Sequence, residues 1–388
     1  MTDRTYQGFS RASGSPGVRN HVLILSLSGL ENAAARAIQA LHPSVLLVSS
    51  TYGRGHVGED LRFQRAAVKA LATHPNVGGA VVLGPDDNIV NEVALEVVAA
   101  GRFCEGLSLQ SCLEDRYTLI ERGARAVARL LHQTSRHQRE PQPISTLAIA
   151  IECGHSDATS GIVANPLVGE FATWLVGGGG RAVFSETLEW IGAESILTER
   201  TAGPEIAQDI LAAIDRRKEI ARLAGADVQA NNPGPQNHAG GITTLEEKSL
   251  GAIAKGGVQP IVGLLRQGDR LPGERGLYLM DTPCFSPESI TSMIAAGCQI
   301  ALFTTGQGNP YGSTLAPTIK VSANPDTTRR LVEQIDIDAS AVLEGRSRPG
   351  ELLPELRRSV VEIASGGLTW CEATGEGAES LSRLGPSI

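Results

Sequence analysis

The chain is poor in aromatic residues, and several motifs common in enzymes are absent from it. Phe, Trp and Tyr together make up 4% of the 388 residues, which disfavours a surface for stacking nucleic-acid bases. The formal net charge of −8 and the lack of a basic stripe also argue against nucleic-acid binding. No GxSxG, P-loop or HExxH motif occurs. The sequence therefore lacks the usual signatures of α/β-hydrolases, P-loop NTPases and zinc proteases.

Cysteine pairs and long apolar runs are missing as well. The six cysteines are scattered and none is at CxxC spacing, so neither a zinc knuckle nor a redox pair is indicated. A disulfide framework is not expected at this length and cysteine density. No apolar stretch reaches membrane-spanning length unbroken, and the polar N-terminus lacks the apolar core of a signal peptide. We therefore expect a cytoplasmic protein with reduced thiols and no membrane partner.

What the sequence does contain is an alternation of apolar runs and helical patterns. Runs at 21–27, 44–48 and 79–83 are typical of buried strands, and the patterns at 31–41 and 60–73 are typical of helices. This order predicts an α/β fold with mainly parallel sheets. The second half continues it, with strands expected near 147–151, 182–184, 276–280, 300–303 and 318–321 and helices near 207–223, 286–296 and 328–335.

A charged, proline-bearing stretch at 135–143 separates the two halves and reads as a linker. We therefore predict an N-terminal α/β domain over 1–143 and a C-terminal α/β catalytic domain over 144–388. Loops after the carboxyl ends of parallel strands line the binding crevice in such sheets. The active site is expected at those ends and at the domain interface. Residues from about 374 are weakly patterned and are expected to form a mobile tail.

A thiol, an imidazole, a hydroxyl and a carboxylate directly follow one apolar strand, as Cys153, His155, Ser156 and Asp157. The Cys, His and Asp side chains are suitable ligands for a divalent metal ion. Alternatively, His155 could transfer a proton. A purely structural interpretation is also open, in which Asp157 caps a helix and Cys153 is a small buried side chain.

Polar groups also follow other predicted strands. Glu186 lies at one strand end, where a carboxylate can bind a metal, act as a base or simply cap the next element. Asp281 ends a second strand, and Thr304 and Thr305 end a third. Their shared position at strand ends makes all four candidates for the site.

Two further features have both a functional and a structural interpretation. Gly240 and Gly241 stand near a predicted helix N-terminus, a position that suits an anion. Lys320 is a single charge in an otherwise apolar stretch, so it is either a carboxylate-binding group or a solvated surface charge.

Seven motifs in this order resemble the altronate/galactarate dehydratase family of sugar-acid lyases. The resemblance extends from about Tyr6 to about Gly367, nearly the whole chain. The motifs are Gly17-Val18-Arg19-Asn20; Cys153 to Asp157 with Ser160-Gly161 and Ala164-Asn165-Pro166; Ser185-Glu186-Thr187; Gly240-Gly241 with Glu247-Lys248; Met280-Asp281-Thr282-Pro283; Phe303-Thr304-Thr305-Gly306 with Gly308; and Pro317-Thr318-Ile319-Lys320.

The resemblance implies a metal-dependent lyase that dehydrates a sugar acid or related 2-hydroxy acid to a 2-keto acid. In such enzymes a base removes the proton next to the carboxylate. A divalent metal binds the carboxylate and hydroxyl oxygens, and we expect Fe(2+) ahead of Mn(2+). A metal and backbone N–H groups are suited to this task because the enediolate that develops is doubly charged.

The same resemblance implies roles for residues of this chain. His155, Asp157 and Glu186 are expected to carry catalysis, and replacing Asp157 or Glu186 by alanine is expected to abolish turnover without unfolding. The expected metal ligands are Cys153, Asp157, Glu186 and Asp281. The residues expected on substrate oxygens are Arg54, Ser156, Asn165, Gly240, Gly241, Thr304, Thr305 and Lys320.

The loop after the second strand departs from the dehydratase pattern. The dehydratases carry a cysteine where this chain has Arg54, and a second cysteine where it has Pro85. Tyr52-Gly53-Arg54 instead resembles the large subunit of the sulfolactate sulfo-lyases, as do Asn32-Ala33-Ala34 and Ile335-Asp336-Ile337-Asp338. An arginine offers a bidentate contact to an anion such as a sulfonate. The alternative function is therefore a carbon–sulfur lyase that releases sulfite.

The start of the chain is the second departure. One-chain members of the family begin with a small extra domain, whereas this chain opens almost at once with Gly8-Phe9. We expect a separate small subunit to supply that domain. The other expected partners are a hydroxy-acid substrate and further copies of this chain in a homo-oligomer. The lost cysteines leave a third possibility, a non-catalytic subunit that binds an acidic metabolite or scaffolds a partner.

Overall fold

The computed structural model describes residues 4–53, 55–228 and 232–384. The strands in these ranges are β1 (Thr5–Gly8), β2 (His21–Ser26), β3 (Leu46–Ser49), β4 (Val77–Gly84), β5 (Phe103–Ser108), β6 (Glu140–Pro143), β7 (Ala148–Cys153), β8 (Arg181–Phe184), β9 (Ile261–Arg266), β10 (Gly276–Asp281), β11 (Ile300–Thr304), β12 (Thr318–Ser322) and β13 (Ile337–Asp338).

Helices connect most of these strands. They are α1 (Asn32–Leu41), α2 (Gly58–Ala72), α3 (Asp87–Ala99), α4 (Arg116–Thr134), α5 (Asn165–Gly177), α6 (Glu194–Glu199), α7 (Pro204–Leu223), α8 (Pro235–Ala239), α9 (Leu245–Ile253), α10 (Ser286–Ala296), α11 (Pro325–Arg330), α12 (Ser340–Leu343), α13 (Leu353–Ala364) and α14 (Trp370–Thr374). A π-helical stretch, Ser160–Ala164, leads into α5. No helix in the described ranges has both the length and the apolar character needed to span a bilayer.

Two parallel sheets form the body of the protein. The four-stranded sheet has the order β3-β2-β4-β5, and the seven-stranded sheet has the order β13-β12-β11-β7-β8-β10-β9. Every pairing within them is parallel. The predicted α/β fold with mainly parallel sheets is therefore confirmed.

Strand β7 lies in the middle of the large sheet and is buried along its whole length. Ile149 and Ile151 belong to the core that includes Phe171 and Leu175 of α5. Ala148 and Ala150 belong to a second core, which contains side chains of α2, of α10 and of both sheets. Successive side chains of β7 point to opposite faces of the sheet, so this strand contributes to both cores. The second core lies between the two sheets and links them.

The predicted linker carries strand β6, which pairs with β1 in an antiparallel ribbon, an edge position where proline is tolerated. Two other local expectations were wrong. The supposed mobile tail is packed: Glu379 accepts hydrogen bonds from Ser313 and Thr291, and Ser382 is 8% exposed. The helix expected at 328–335 begins at Pro325, because the Asn324 side chain caps it, and it ends at Arg330.

A buried hydrogen-bond network around His74 and Asn76 connects the start of β4 to the large sheet. Nδ1 of His74 accepts from the backbone N–H of Asn76 at 3.1 Å, so Nε2 carries the proton and donates to Cys298 O at 3.0 Å. The Asn76 amide donates to Gln299 O at 2.9 Å and Leu315 O at 3.0 Å. Burial first, and then the positive charges of Arg270 and Arg102, lower the pKa of His74 to about 3. The ring is therefore neutral in the folded protein.

We predict a specific contribution of His74 to acid denaturation. The unfolded chain protonates this imidazole near its ordinary pKa of 6.5, whereas the folded protein does so only near pH 3. The full contribution of neutral His74 to the free energy of unfolding is present above pH 6.5. Below that pH, the free energy of unfolding decreases by about 1.4 kcal/mol per pH unit. Urea unfolding of His74→Gln, which can keep both hydrogen bonds, should show a correspondingly shallower decrease in unfolding free energy. Identical pH slopes for the variant and the parent protein would refute the assignment.

Candidate functional site

Ionisable and hydroxyl side chains meet at the carboxyl ends of four neighbouring strands of the large sheet. Cys153 ends β7, Glu186 lies two residues beyond β8, Asp281 ends β10 and Thr304 ends β11. Because these strands are parallel, their carboxyl ends share one edge of the sheet. This is the edge of the sheet at which the sequence predicts the site.

Glu152, Cys153 and Glu186 form the most compact group of potential metal ligands in the described residues. One ligand atom from each lies within 4.8 Å of the others, and all three side chains are buried. Carboxylate oxygens and a thiolate sulfur are ligands that divalent transition metals accept. We refer to these three residues as the ligand cluster.

Two lysines provide positive charge next to the ligand cluster. Lys255 Nζ lies 3.0 Å from Cys153 Sγ, 3.5 Å from Glu152 Oε1 and 3.6 Å from an oxygen of Glu189. Lys248 Nζ lies 3.1 Å from the other oxygen of Glu189. Two ammonium groups therefore face the three carboxylates of Glu152, Glu186 and Glu189. One carboxylate is therefore left without a compensating positive charge, which favours protonation of one group at this site.

Burial and like charges determine where protons are held. Burial first, and then the charges of Glu152 and Glu189, raise the pKa of Glu186 well above its usual range. Burial and Glu189 likewise raise the pKa of the Cys153 thiol, against the effect of Lys255. Burial opposes ionisation of Glu189 too, but Lys248 and Lys255 outweigh it and lower its pKa to about 2. Glu186 and Cys153 thus hold protons that a bound cation would displace.

Hydroxyl groups fix the orientation of Glu152. Its Oε2 accepts hydrogen bonds from Ser185 Oγ at 3.0 Å and from Ser289 Oγ, and its Oε1 accepts from the backbone N–H of Cys153 at 3.0 Å. Ser289 lies on α10, so this helix helps to hold the carboxylate in place. A positioned carboxylate is what a metal site or a catalytic site requires.

His155 and Glu186 both adopt the left-handed backbone region, with φ of 51° and 70°. This conformation is unfavourable for residues with a Cβ and is found repeatedly at functional sites. His155 is exposed, and its Nδ1 lies 2.8 Å from Gly308 O. Because a carbonyl oxygen only accepts, Nδ1 carries the proton in the neutral ring, and Nε2 keeps a lone pair that can take a proton.

A cavity of about 280 Å³ lies beside the ligand cluster. Lys248 connects the two, because it lines the cavity and pairs with Glu189, which lies 3.2 Å from Cys153 Sγ of the cluster. Ser156, Asp157 and Asn165 line the same cavity. The Ser156 hydroxyl makes no hydrogen bond to another described residue, so it is available to a ligand. The structure thus places a cation and a free hydroxyl next to the buried carboxylates.

Asp157 lies outside the ligand cluster and is fully engaged by its neighbours. Its Oδ1 accepts from the backbone N–H and hydroxyl of Ser160 and from Thr159 Oγ1, and its Oδ2 accepts from Asn324 Nδ2 at 2.8 Å. Gly306 packs so closely that a Cβ there would lie 2.1 Å from Asp157 Cγ. These contacts are those of a helix-capping carboxylate.

Asp281 is likewise occupied by protein partners. Arg216 and Arg217 both pair with its carboxylate, Arg217 at 2.8 Å, and Thr187 Oγ1 donates to it at 2.6 Å. Burial opposes ionisation, but Arg217 and these hydrogen bonds lower the pKa of Asp281 overall. The structure therefore does not bring Asp281 together with the ligand cluster.

The remaining predicted substrate contacts are dispersed. Thr304 donates to Asn165 Oδ1 at 2.5 Å, whereas Thr305 accepts from the backbone N–H of Gly308. Lys320 is fully buried and pairs with Glu376 of the C-terminal segment at 3.0 Å. Arg54 lies outside the described residues.

Gly240 and Gly241 lie shortly before the predicted helix, which is α9 with Thr244 as its N-cap. Gly240 is the C-cap of α8, and a Cβ on it would lie 2.6 Å from that of Asp157. Gly241 follows with φ of 90°, a conformation that favours glycine. Both glycines therefore permit close packing against the Asp157 segment.

Sequence reasoning missed Glu152, Glu189 and Lys255, which carry most of the charge at the site. Glu152 and Lys255 each stand as a single charge within an apolar run, in AIAIEC and GAIAKGG. A charged residue in such a run is rarely buried unless it is paired. This signal was present, but it did not show that the two residues pair with each other.

We predict that Lys255 is required for stability. Lys255→Met would leave Glu152 and Glu189 buried with less compensating charge, and should reduce the unfolding free energy by about 3–5 kcal/mol. The matched control is Lys218→Met, which removes an ammonium that is 46% exposed and 3.6 Å from Glu194. It should cost less than about 1 kcal/mol. Equal losses in urea denaturation would contradict the prediction.

Comparisons with known proteins agree with this architecture. Residues 8–135 match the family described as D-galactarate dehydratase/Altronate hydrolase, second domain, and residues 144–387 match D-galactarate/Altronate dehydratase, C-terminal. The chain is 34% identical to the (2R)-sulfolactate sulfo-lyase subunit beta of Chromohalobacter salexigens, covering 99% of this chain and 98% of that protein.

Two altronate dehydratases are similarly related. Identity is 33% with the protein of Escherichia coli and 35% with that of Bacillus subtilis. Each match covers 94% of this chain, and it covers 74% and 75% of the two dehydratases respectively. On these matches, the chain belongs to the D-galactarate/altronate dehydratase family, and it is a lyase.

Proposed function

We propose that this chain is the larger subunit of a metal-assisted lyase that eliminates a leaving group from C3 of a 2-hydroxy acid. The observation that carries the proposal is the buried ligand cluster at the strand ends, next to a cavity that contains an ammonium group. Family membership defines the class of reaction, and this arrangement supports the assignment of residues to it.

The donor set of the ligand cluster fits a divalent transition metal. Glu152, Cys153 and Glu186 offer two carboxylates and a thiol, and the surplus negative charge favours a cation. A thiolate among the ligands favours Fe(2+) over Mn(2+), the harder ion. A metal bound there would withdraw electron density from the substrate's carboxylate and hydroxyl oxygens.

Lys248 and Ser156 are the proposed contacts of the substrate carboxylate. Two of the three Lys248 N–H groups are directed to Glu189 and to Asn232 Oδ1, so one remains for a ligand. Positive charge next to the cavity stabilises the enolate as negative charge develops on the substrate.

His155 is the proposed base. Nε2 takes the proton from C2, the electron pair of that C–H bond forms the C2=C3 double bond, and the bond from C3 to the leaving group breaks with its pair. The product is an enol with its hydroxyl on C2, which tautomerises to a 2-keto acid. Sulfite leaves directly with the electron pair of the C–S bond, whereas a hydroxyl must also gain a proton, which the protonated His155 can return, to leave as water. Both routes give the same enol, so the enol chemistry does not itself select the leaving group.

Sulfite is the second candidate leaving group, and the segment Tyr52-Gly53-Arg54, which resembles the sulfo-lyases, favours it. The chain is 34% identical to a sulfo-lyase subunit beta and 33–35% identical to two altronate dehydratases, so identity does not distinguish the two reactions. The word "subunit" in the name of that relative also supports a second, smaller chain as a partner. Arg54 would then be a contact for the sulfonate group, and this part of the proposal rests on sequence alone.

We predict that a product assay will identify the leaving group. The purified protein, with a co-expressed small subunit and Fe(2+), should convert a 2-hydroxy acid to a 2-keto acid. Sulfite measured together with the 2-keto acid would assign the sulfo-lyase reaction, and keto acid without sulfite from a sugar acid would assign dehydration. Failure to form any keto acid across a panel of both substrate types would reject the proposal in favour of a non-catalytic subunit.

We also predict that Glu186 is needed for metal binding. Glu186→Gln preserves size but cannot lose a proton, and should lower both bound iron and kcat by about 100-fold. Metal analysis and circular dichroism should be measured on the same samples. Glu121→Gln on the exposed face of α4 is the matched control and should bind metal normally. Normal iron content in Glu186→Gln would remove Glu186 from the ligand set.

A further inference from the structure

A second cavity lies at the opposite end of the sheets from the ligand cluster. Its volume is about 560 Å³, and it is lined by residues that precede strands of both sheets. Arg181 is the first residue of β8, Arg102 directly precedes β5, and Thr146 lies two residues before β7. Since the strands are parallel, this is their amino end. We call it the amino-end cavity.

Two buried arginines in this cavity have no acidic partner. Arg102 is 6% exposed and Arg181 is 8% exposed. Arg102 donates only to Ala100 O, at 2.8 Å, and the Arg181 guanidinium donates to Ser15 Oγ and to backbone oxygens. No ion pair within the described ranges involves either residue, and the Nε atoms of both are buried without a hydrogen-bond partner.

A third arginine stands at the rim. Arg270 is exposed and donates to Thr73 Oγ1 at 2.5 Å and to Ala70 O at 3.5 Å. The acidic group that acts on it electrostatically is Glu96, which forms its own bridge to Lys69 at 2.6 Å. No carboxylate among the residues that the structure describes lines the cavity.

Unpaired guanidinium groups are costly to bury. Burial lowers the pKa of Arg102 to about 10 and holds that of Arg181 below its usual value. Burial, and then the charge of Arg102, also lower the pKa of the neighbouring Arg11 to about 9. Among the described residues, three cations and no acid line this cavity, a charge distribution that suits an anionic ligand.

We propose that the amino-end cavity binds a compact dianion, of the phosphate-monoester or diphosphate type, between Arg102, Arg181 and Arg270. Arginine forks match the oxygens of such groups in a bidentate manner. The hydroxyl-bearing residues Ser13 and Thr146 line the same space. Its volume is in the range of small-molecule sites.

Binding at this position would join the two halves of the chain. Ser13, Thr73 and Arg102 come from the part that forms the small sheet, and Arg181 and Arg270 come from the part that forms the large sheet. A ligand that binds only the folded state stabilises it by RT ln(1 + L/Kd), where L is the free ligand concentration, so Tm rises as that concentration increases beyond Kd. The site is separate from the lyase site, so it does not depend on the proposed function.

The test is calorimetric titration with inorganic pyrophosphate and with inorganic phosphate at constant ionic strength, using chloride as the blank. Arg270→Gln should weaken binding at least about tenfold, since it removes a charged hydrogen-bond donor from the anion. Because Arg270 lies at the rim, this variant is expected to fold. Arg102→Gln should abolish binding.

Two controls separate this site from others. Arg125→Gln makes the same charge change on an exposed helix face, where Arg125 pairs with Glu121, and should bind as the parent does. Lys248→Gln alters the cavity near the ligand cluster and should also leave the affinity for pyrophosphate unchanged. Both anions should raise Tm in the parent protein more than in Arg270→Gln.

Three results would overturn the proposal. The first is the absence of binding of either anion beyond the chloride blank. The second is equal affinity in Arg270→Gln and the parent protein. The third is a loss of affinity in Lys248→Gln as large as in Arg270→Gln, which would place the anion in the other cavity.

Discussion

The arrangement of the candidate site depends on Lys255, a buried ammonium that lies within 3.6 Å of Glu152, Cys153 and Glu189. Without it, two carboxylates would be buried close together in a region that excludes water, and one of them would have to take up a proton or move to solvent. With it, the charges almost cancel, and Glu186 and the Cys153 thiol are the groups that keep a proton. The proposal of a metal ion at this cluster rests on this incomplete cancellation rather than on any single residue.

The two ends of the parallel sheets have opposite character. The carboxyl end collects Glu152, Glu186 and Glu189, whereas the amino end collects Arg102, Arg181 and Arg270, for which no ion pair is found in the described part of the chain. Strand dipoles contribute little to such a separation, so it arises from the placement of side chains. The proposed cation and anion sites therefore lie at opposite ends of the sheets and would not compete for the same ligand.

Much of the fold followed from patterns in the sequence. The apolar runs predicted β2, β4, β7, β10 and β11 because fully buried parallel strands are continuously hydrophobic. The pattern failed for β5, whose residues FCEGLS are half exposed at a sheet edge, and for β6, where two prolines read as a linker. Edge strands bury less surface, so they leave a weaker hydrophobic signal.

The sequence by itself determined the family and the reaction class. Only the tertiary structure decided which carboxylates share a site. Lys255 contacts Glu152 across 103 positions of the chain, and no local pattern encodes such a pairing. It also separated residues of similar appearance: Glu186 is buried among like charges, whereas Asp157 is a helix cap and Asp281 is held by two arginines. The physical reason is that the role of a carboxylate depends on the charges and donors around it, and those are brought together only by folding.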